Sequence, residues 1–194
     1  MNSIAYLTNQ LGRLNAAVLT VGLWLGAGAL GIMLFFMLMQ VFFRYFLGNA
    51  LAWSEEASRF LMLWMTGLMV PTAFRQGGFV AIGMIVDLLP RLIANLIALS
   101  FLLLSAVVLF VGMRIGWAEV TGIGGRFAMS AIALPTSFDF STWMKIPRGW
   151  MMASLATGIT LMFVVNIELI LRALLNLFGE RLAPIPIAGQ LGAE

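Results

Sequence analysis

The sequence predicts an all-α integral membrane protein, with four transmembrane helices plus short interfacial helices in a single membrane domain over residues 1–194. Three observations lead there. Hydrophobic residues make up 62% of the 194 and charged residues 10%, against roughly 25% charged in a soluble domain; the mean hydropathy is +1.02. The apolar residues gather into uncharged runs long enough to cross a bilayer, which takes about 20 residues of helix. Charged residues fall between those runs, one or two at a time. A soluble fold of this length could not hide so much apolar surface.

Composition also narrows the chemistry. The chain has no Cys and no His. That removes disulfides, iron-sulfur clusters, thiolate metal sites, the usual haem and zinc ligands and the commonest general base. No cofactor or metal is expected, and most membrane enzymes and electron carriers are set aside. The 11 basic and 8 acidic residues give a formal charge of +3. The bases are scattered singly, unlike a nucleic-acid footprint, so lipid is the expected surroundings and nucleic acid is not.

Residues 1–13 read as an interfacial lead-in helix, with Tyr6, Leu7, Leu11 and Leu14 near one face and Asn9, Gln10 and Arg13 off it. The first span covers about 14–46. Its uncharged run, 14–43, is about twice the length of a signal-peptide core and lacks a clear A-x-A site, so no cleaved leader is expected. Gly22 and Gly26, continued by Ala29 or Gly31, form a small-residue stripe that lets another helix approach. Gln40 and Arg44 give its far end a polar face. Arg44 either pairs with Glu55 or Glu56 across the 47–52 turn or reaches up to lipid phosphates.

The second span covers about 56–76. Ser54 is the expected N-cap, with Glu55 and Glu56 in the first turn where negative charge suits the helix dipole. Trp53 precedes them and Trp64 lies within the span. Glu55 lies four residues before Arg59 and Glu56 three, so both acids can reach one guanidinium. Pro71 predicts a kink, and Arg75 with Gly77 and Gly78 a stop. Residues 78–89, too short to cross, read as an interfacial segment with Gly83 and Asp87 on its polar edge. Pro90 then opens the third span, 91–117. A long loop, 118–147, carries TGIGG at 121–125, two prolines and a polar stretch at 136–142, with Trp117, Phe138, Phe140, Trp143 and Trp150 around it as at a headgroup boundary. The fourth span, 148–178, holds Asn166 and Glu168, and a polar, proline-bearing tail follows.

Four spans place both termini on one side. Arg13, Arg75, Arg91, Arg172 and Arg181 lie on that side, and Arg44, Arg59, Arg114, Arg126, Lys145 and Arg148 on the other. The counts are too close for the positive-inside rule to set an orientation. No internal repeat is visible. The middles of the spans offer only Thr20, Thr66, Ser100, Ser105, Thr157 and Thr160, hydroxyls that can bond their own backbone. A carrier needs mid-membrane groups that replace the hydration of its solute. A subunit assisting a larger neighbour therefore fits better than a conduit. The competing class is a stand-alone four-helix exporter driven by a membrane carboxylate, for which Glu168 is the acid to consider.

A family resemblance rests on the order of several short motifs: R-Y-F-L-G-N at 44–49, W-S-E-E-A-S-R-F at 53–60, Trp64, F-R-Q-G-G at 74–78, L-L-P at 88–90 and, more loosely, I-P-x-G-W at 146–150. In this order the chain resembles the small membrane subunit (DctQ type) of tripartite ATP-independent periplasmic (TRAP) transporters. The resemblance implies a four-helix scaffold in a prokaryotic cytoplasmic membrane with both termini cytoplasmic. It also implies two partners, a large permease subunit and a periplasmic solute-binding protein, and sodium-driven uptake of an organic acid. Trp53, Glu55, Glu56 and Arg59 would lie at the periplasmic side and Arg75 at the cytoplasmic side. The chain departs from the family pattern at Phe79, where a histidine is common, and in the length of its 119–145 loop.

Overall fold

The structure is a computed structural model and describes residues 3–49, 51–76, 91–135 and 143–177. The interfacial segment expected at 78–89, Pro90, the polar stretch at 136–142 and the tail from 179 lie outside the described residues. Four long helices dominate: α1 Ser3–Phe46, α2 Ala52–Arg75, α3 Arg91–Thr121 and, after a short helix α4 Ile123–Arg126 and strands β1 Ala128–Pro135 and β2 Trp143–Pro147, α5 Gly149–Leu177. They pack in the order α1, α2, α5, α3, with α2 and α5 in the middle and only a small contact between α1 and α5.

Lipid acts as the solvent for most of this surface. The interior cluster is small: Leu19, Phe74 and Val165, with Leu109, Met162 and Leu169 packed against it. The most apolar stretch of α3 contains no buried residue. Without a hydrophobic drive between helices in lipid, association rests on close approach of small residues and on polar contacts. Gly22 and Gly26 of α1 face Leu68 and Met69 of α2, and Gly116 of α3 faces Ala156 of α5. The tightest crossing is between α2 and α5: a Cβ on Gly158 would come within 2.7 Å of the Gly67 carbonyl oxygen, and one on Gly67 would fall on the Ser154 carbonyl. Pro71 lies fully buried inside α2. It has no N–H for the Gly67 carbonyl one turn back, so the group facing Gly158 is one the helix itself leaves short of a donor.

Three helices among the described residues are long and apolar enough to cross a membrane: Ala5–Phe46, Ile93–Thr121 and Gly149–Leu177. The expectation of four spans is therefore met for three. At about 1.5 Å per residue the 24 residues of α2 extend roughly 36 Å, but Glu55, Glu56, Arg59 and Arg75 lower its hydropathy below the level of the others. Its buried positions face helices, so it can be less apolar.

Three local expectations are corrected. The lead-in helix and first span are one unbroken helix, because Gln10 and Arg13 sit on its exposed side and impose no break; the Gln10 amide donates to the Tyr6 hydroxyl one turn back at 2.9 Å. Ser54 is not the N-cap of α2. The helix starts two residues before it with Leu51 at the cap, and the buried Ser54 hydroxyl donates back to the Leu51 carbonyl at 2.8 Å. The long loop is not irregular throughout. It holds an antiparallel ribbon pairing Ala133 with Lys145, Leu134 with Met144 and Pro135 with Trp143, with a bulge between Ala128 and Ala133. The Arg148 N–H donates to the Phe127 carbonyl at 2.8 Å and ties the ribbon to the start of α5.

Candidate functional site

Where α1, α2 and α5 meet, the chain buries three charges together. Glu168 of α5 is fully enclosed, its side chain 0% exposed, while the side chains of Arg75 and Arg172 are 2% and 8% exposed. Arg75 ends α2, where a cation suits the helix dipole, and grips the carboxylate two ways: Nη2 donates to Oε1 at 2.8 Å and Nε to Oε2 at 3.1 Å. Arg172, one turn after Glu168, donates Nε to Oε1 at 3.0 Å. Asn15 of α1 donates Nδ2 to Oε2 at 2.8 Å, and Arg75 Nη2 also donates to the Gly12 carbonyl at 2.8 Å.

Each carboxylate oxygen thus accepts two donors, which fills the roughly four lone-pair positions such a group has. One acid faces two guanidiniums. The Gly12 carbonyl and the C-terminal end of α2 add negative potential beside Arg75. The arrangement holds three helices at one level and leaves the carboxylate no free acceptor. Gly12 is part of the geometry: a Cβ there would come within 2.6 Å of Arg172 Nη2 and 2.9 Å of Glu168 Oε1. Because that guanidinium ends a flexible side chain and can swing aside, Gly12→Ala is expected to lower stability by only about 1 kcal/mol, one charged hydrogen bond offset in part by the better helix propensity of alanine. Thermal unfolding of the purified chain in detergent measures it.

The residues singled out from the sequence lie mainly elsewhere. Of them Arg75 joins the buried cluster, at whose centre stands Glu168, the acid the sequence offered only to the competing exporter. Glu55 pairs with Arg59 one turn on in the same helix, and the two side chains are 61% and 66% exposed. Glu56 is half-buried and Arg44 exposed. The Trp53 ring meets Phe36 of α1 edge-on, with centroids 5.4 Å apart. Trp64 donates its indole N–H to the Trp150 carbonyl at 3.2 Å, tying α2 to the start of α5. Sequence reasoning missed Gly12, Asn15 and Arg172. Only the four-residue step from Glu168 to Arg172 leaves a local trace.

A second polar tie joins α5 to α3. Asn166 of α5 is fully buried and donates Nδ2 to the Leu102 carbonyl of α3 at 3.1 Å, while its Oδ1 has no partner. Nearer the other end Trp117 of α3 donates to the Thr160 hydroxyl of α5 at 3.1 Å.

Long apolar helices, a lipid-facing surface and buried charges that serve as helix ties define a helical membrane protein. Comparison with known families is specific. The chain belongs to the family described as tripartite ATP-independent periplasmic transporters, DctQ component, whose model matches residues 32–176. It is thus a small-subunit component of a TRAP transporter. No curated protein matches the chain.

Proposed function

We propose that this chain is a non-catalytic scaffold subunit that pairs with the large TRAP permease subunit for sodium-driven uptake of an organic acid delivered by a periplasmic binding protein. In this reading α2 crosses the membrane with the other three long helices, both termini are cytoplasmic, and solute and sodium are carried by the large subunit. The observation that carries it is the saturation of Glu168: the one fully buried acid among the described residues accepts four hydrogen bonds from its own chain. A carboxylate that drives transport must load and unload a proton or an ion. That same saturation disfavours the stand-alone exporter.

Copurification with the large subunit from detergent, followed by reconstitution, tests the proposal. Sodium-dependent uptake is expected only when both subunits and a loaded binding protein are present. A reconstituted small subunit that transports unaided would favour the exporter.

The group of Glu55 and Arg59, both exposed, and half-buried Glu56 is assigned to the partner or headgroup side. Because an exposed pair contributes about 0–1 kcal/mol to folding, Glu55→Ala should leave the melting temperature within about 2 °C, and replacing both acids with Ala should reduce assembly with the large subunit. Unchanged assembly and uptake would make the group an ordinary charged helix end.

A further inference from the structure

We infer that the outer stripe of α1 is the surface on which a transmembrane helix of the larger membrane component docks, its backbone closest at Gly28 and Gly31. The inference rests on the pairing proposed above and adds which face makes it. Opposite the side of α1 that packs on α2, Val21, Trp24, Gly28, Gly31, Phe35 and Leu38 follow one another at alternating steps of three and four, and Leu14 and Tyr45 extend the line by seven at either end. Such spacing keeps a seam facing one partner helix. All are exposed, Trp24 by 72%, Leu38 by 70% and Tyr45 by 75%. Gly28 and Gly31 fall on the same line, and a Cβ at either would meet nothing among the described residues within 4 Å. They form a notch between large side chains.

Length argues that protein covers the stripe. The 44 residues of α1 extend about 66 Å. Even at a tilt of about 40°, the upper end of what is seen, roughly 50 Å remains along the normal, against a hydrocarbon core of roughly 30 Å. The excess can be located. Gly12 bonds Arg75 at the end of α2, and Phe36 packs on Trp53 at its start. Residues 37–46 therefore run on past α2 for about 15 Å, carrying Leu38, Val41, Phe42, Tyr45 and Phe46 exposed. Exposed aromatic side chains beyond the end of α2 are a surface for a partner helix to cover.

The area suffices. With about 150–250 Å² for each large aromatic, the exposed fractions along the stripe present roughly 800 Å², about one side of a stable interface. The outer face of α3 is exposed too, with Leu103, Leu104, Val107 and Val108 beside Phe101 and Phe110, but among the described residues it has no run past its neighbours like that of residues 37–46 past α2.

The test uses the full chain coexpressed with the large subunit. Gly28→Leu with Gly31→Leu fills the notch without touching this chain's own contacts. The double variant should retain at least tenfold less large subunit per tagged small subunit, with unchanged yield and melting temperature, while Val108→Trp on α3 should retain it fully. Since the chain lacks cysteine, Leu38→Cys carrying a benzophenone should crosslink to the large subunit. Undiminished retention by the double variant, or crosslinks only to lipid or to a second copy, would overturn the assignment. A wild type that fails to copurify would sink the pairing and this surface together; a wild type and double variant that copurify equally would sink this surface alone.

Discussion

Glu168→Ala is expected to lower the unfolding free energy by about 3–5 kcal/mol, the range for removing one partner of a buried ion pair. The loss comes less from the bonds deleted than from what stays behind. Arg75 and Arg172 would remain enclosed without the carboxylate that both of them grip, and neither side chain, at 2% and 8% exposure, has a direct path to headgroups. The charge count ranks the related variants. Arg75→Met removes the two-point grip and the tie to Gly12 but leaves the acid paired with Arg172, so it should cost less. Arg172→Met leaves a neutral, bidentate pair and should cost least. Asn15 donates to the same carboxylate, and a hydrogen bond to a charged group is worth about 1.5–3 kcal/mol, so Asn15→Leu should cost less than Glu168→Ala. Unfolding of the purified chain in mixed detergent micelles gives the order. A Glu168→Ala chain within 1 kcal/mol of wild type would show that the cluster is not buried in the membrane-embedded protein.

Comparing the two charge groups shows what the sequence makes visible. Glu55, Glu56 and Arg59 lie within five residues, so helix geometry alone brings them together and spacing finds them. The pair that forms is exposed and, on that ground, weak. The buried group joins atoms whose residues are 93 positions apart for Arg75 and Glu168 and 153 apart for Asn15 and Glu168. No local pattern encodes such a meeting; it follows from the helix order α1, α2, α5, which is a property of packing. Membrane residence and the helical class were legible because they depend on composition and run length. Gly22 and Gly26 repeat at four residues within one helix, a local pattern, whereas Gly67 and Gly158 are isolated glycines whose juxtaposition is tertiary. The ribbon escaped for a similar reason: AMSAIALP has little alternation and few β-branched residues, and its strands rest on each other and on α2. The unbroken length of α1 was hidden by Asn9, Gln10 and Arg13, which resemble a boundary in sequence and are only side chains on a continuous helix.

Gly67→Leu is expected to cost about 3 kcal/mol, at the upper end of overpacking losses, and the reason distinguishes it from Gly12→Ala. At Gly12 the nearest obstructing atom is the Arg172 guanidinium end, which can swing aside, with the Glu168 carboxylate next at 2.9 Å. At Gly67 the obstructing atoms are the backbone of Ser154, and from the opposite side the Gly67 carbonyl and Cα bound the space at Gly158, within 2.7 and 2.9 Å of a Cβ placed there. A helix backbone cannot step aside locally, so α2 and α5 must separate. The separation propagates in both directions along α2: toward Arg75, whose grip on Glu168 spans the same two helices, and toward Trp64, whose bond reaches the Trp150 carbonyl. Two consequences follow. Gly67→Ala, with a smaller side chain and a helix-propensity gain of up to about 1 kcal/mol, should be milder yet still destabilising. Glu168→Ala combined with Gly67→Leu should lose less than the sum of the single variants, because both act through the α2–α5 contact, and residues sharing a contact couple by about 0.5–3 kcal/mol. A double-mutant cycle on melting in detergent measures that shortfall. Strict additivity would mean that the glycine crossing and the ion cluster hold the two helices independently, and that the first does not set the distance at which the second can form.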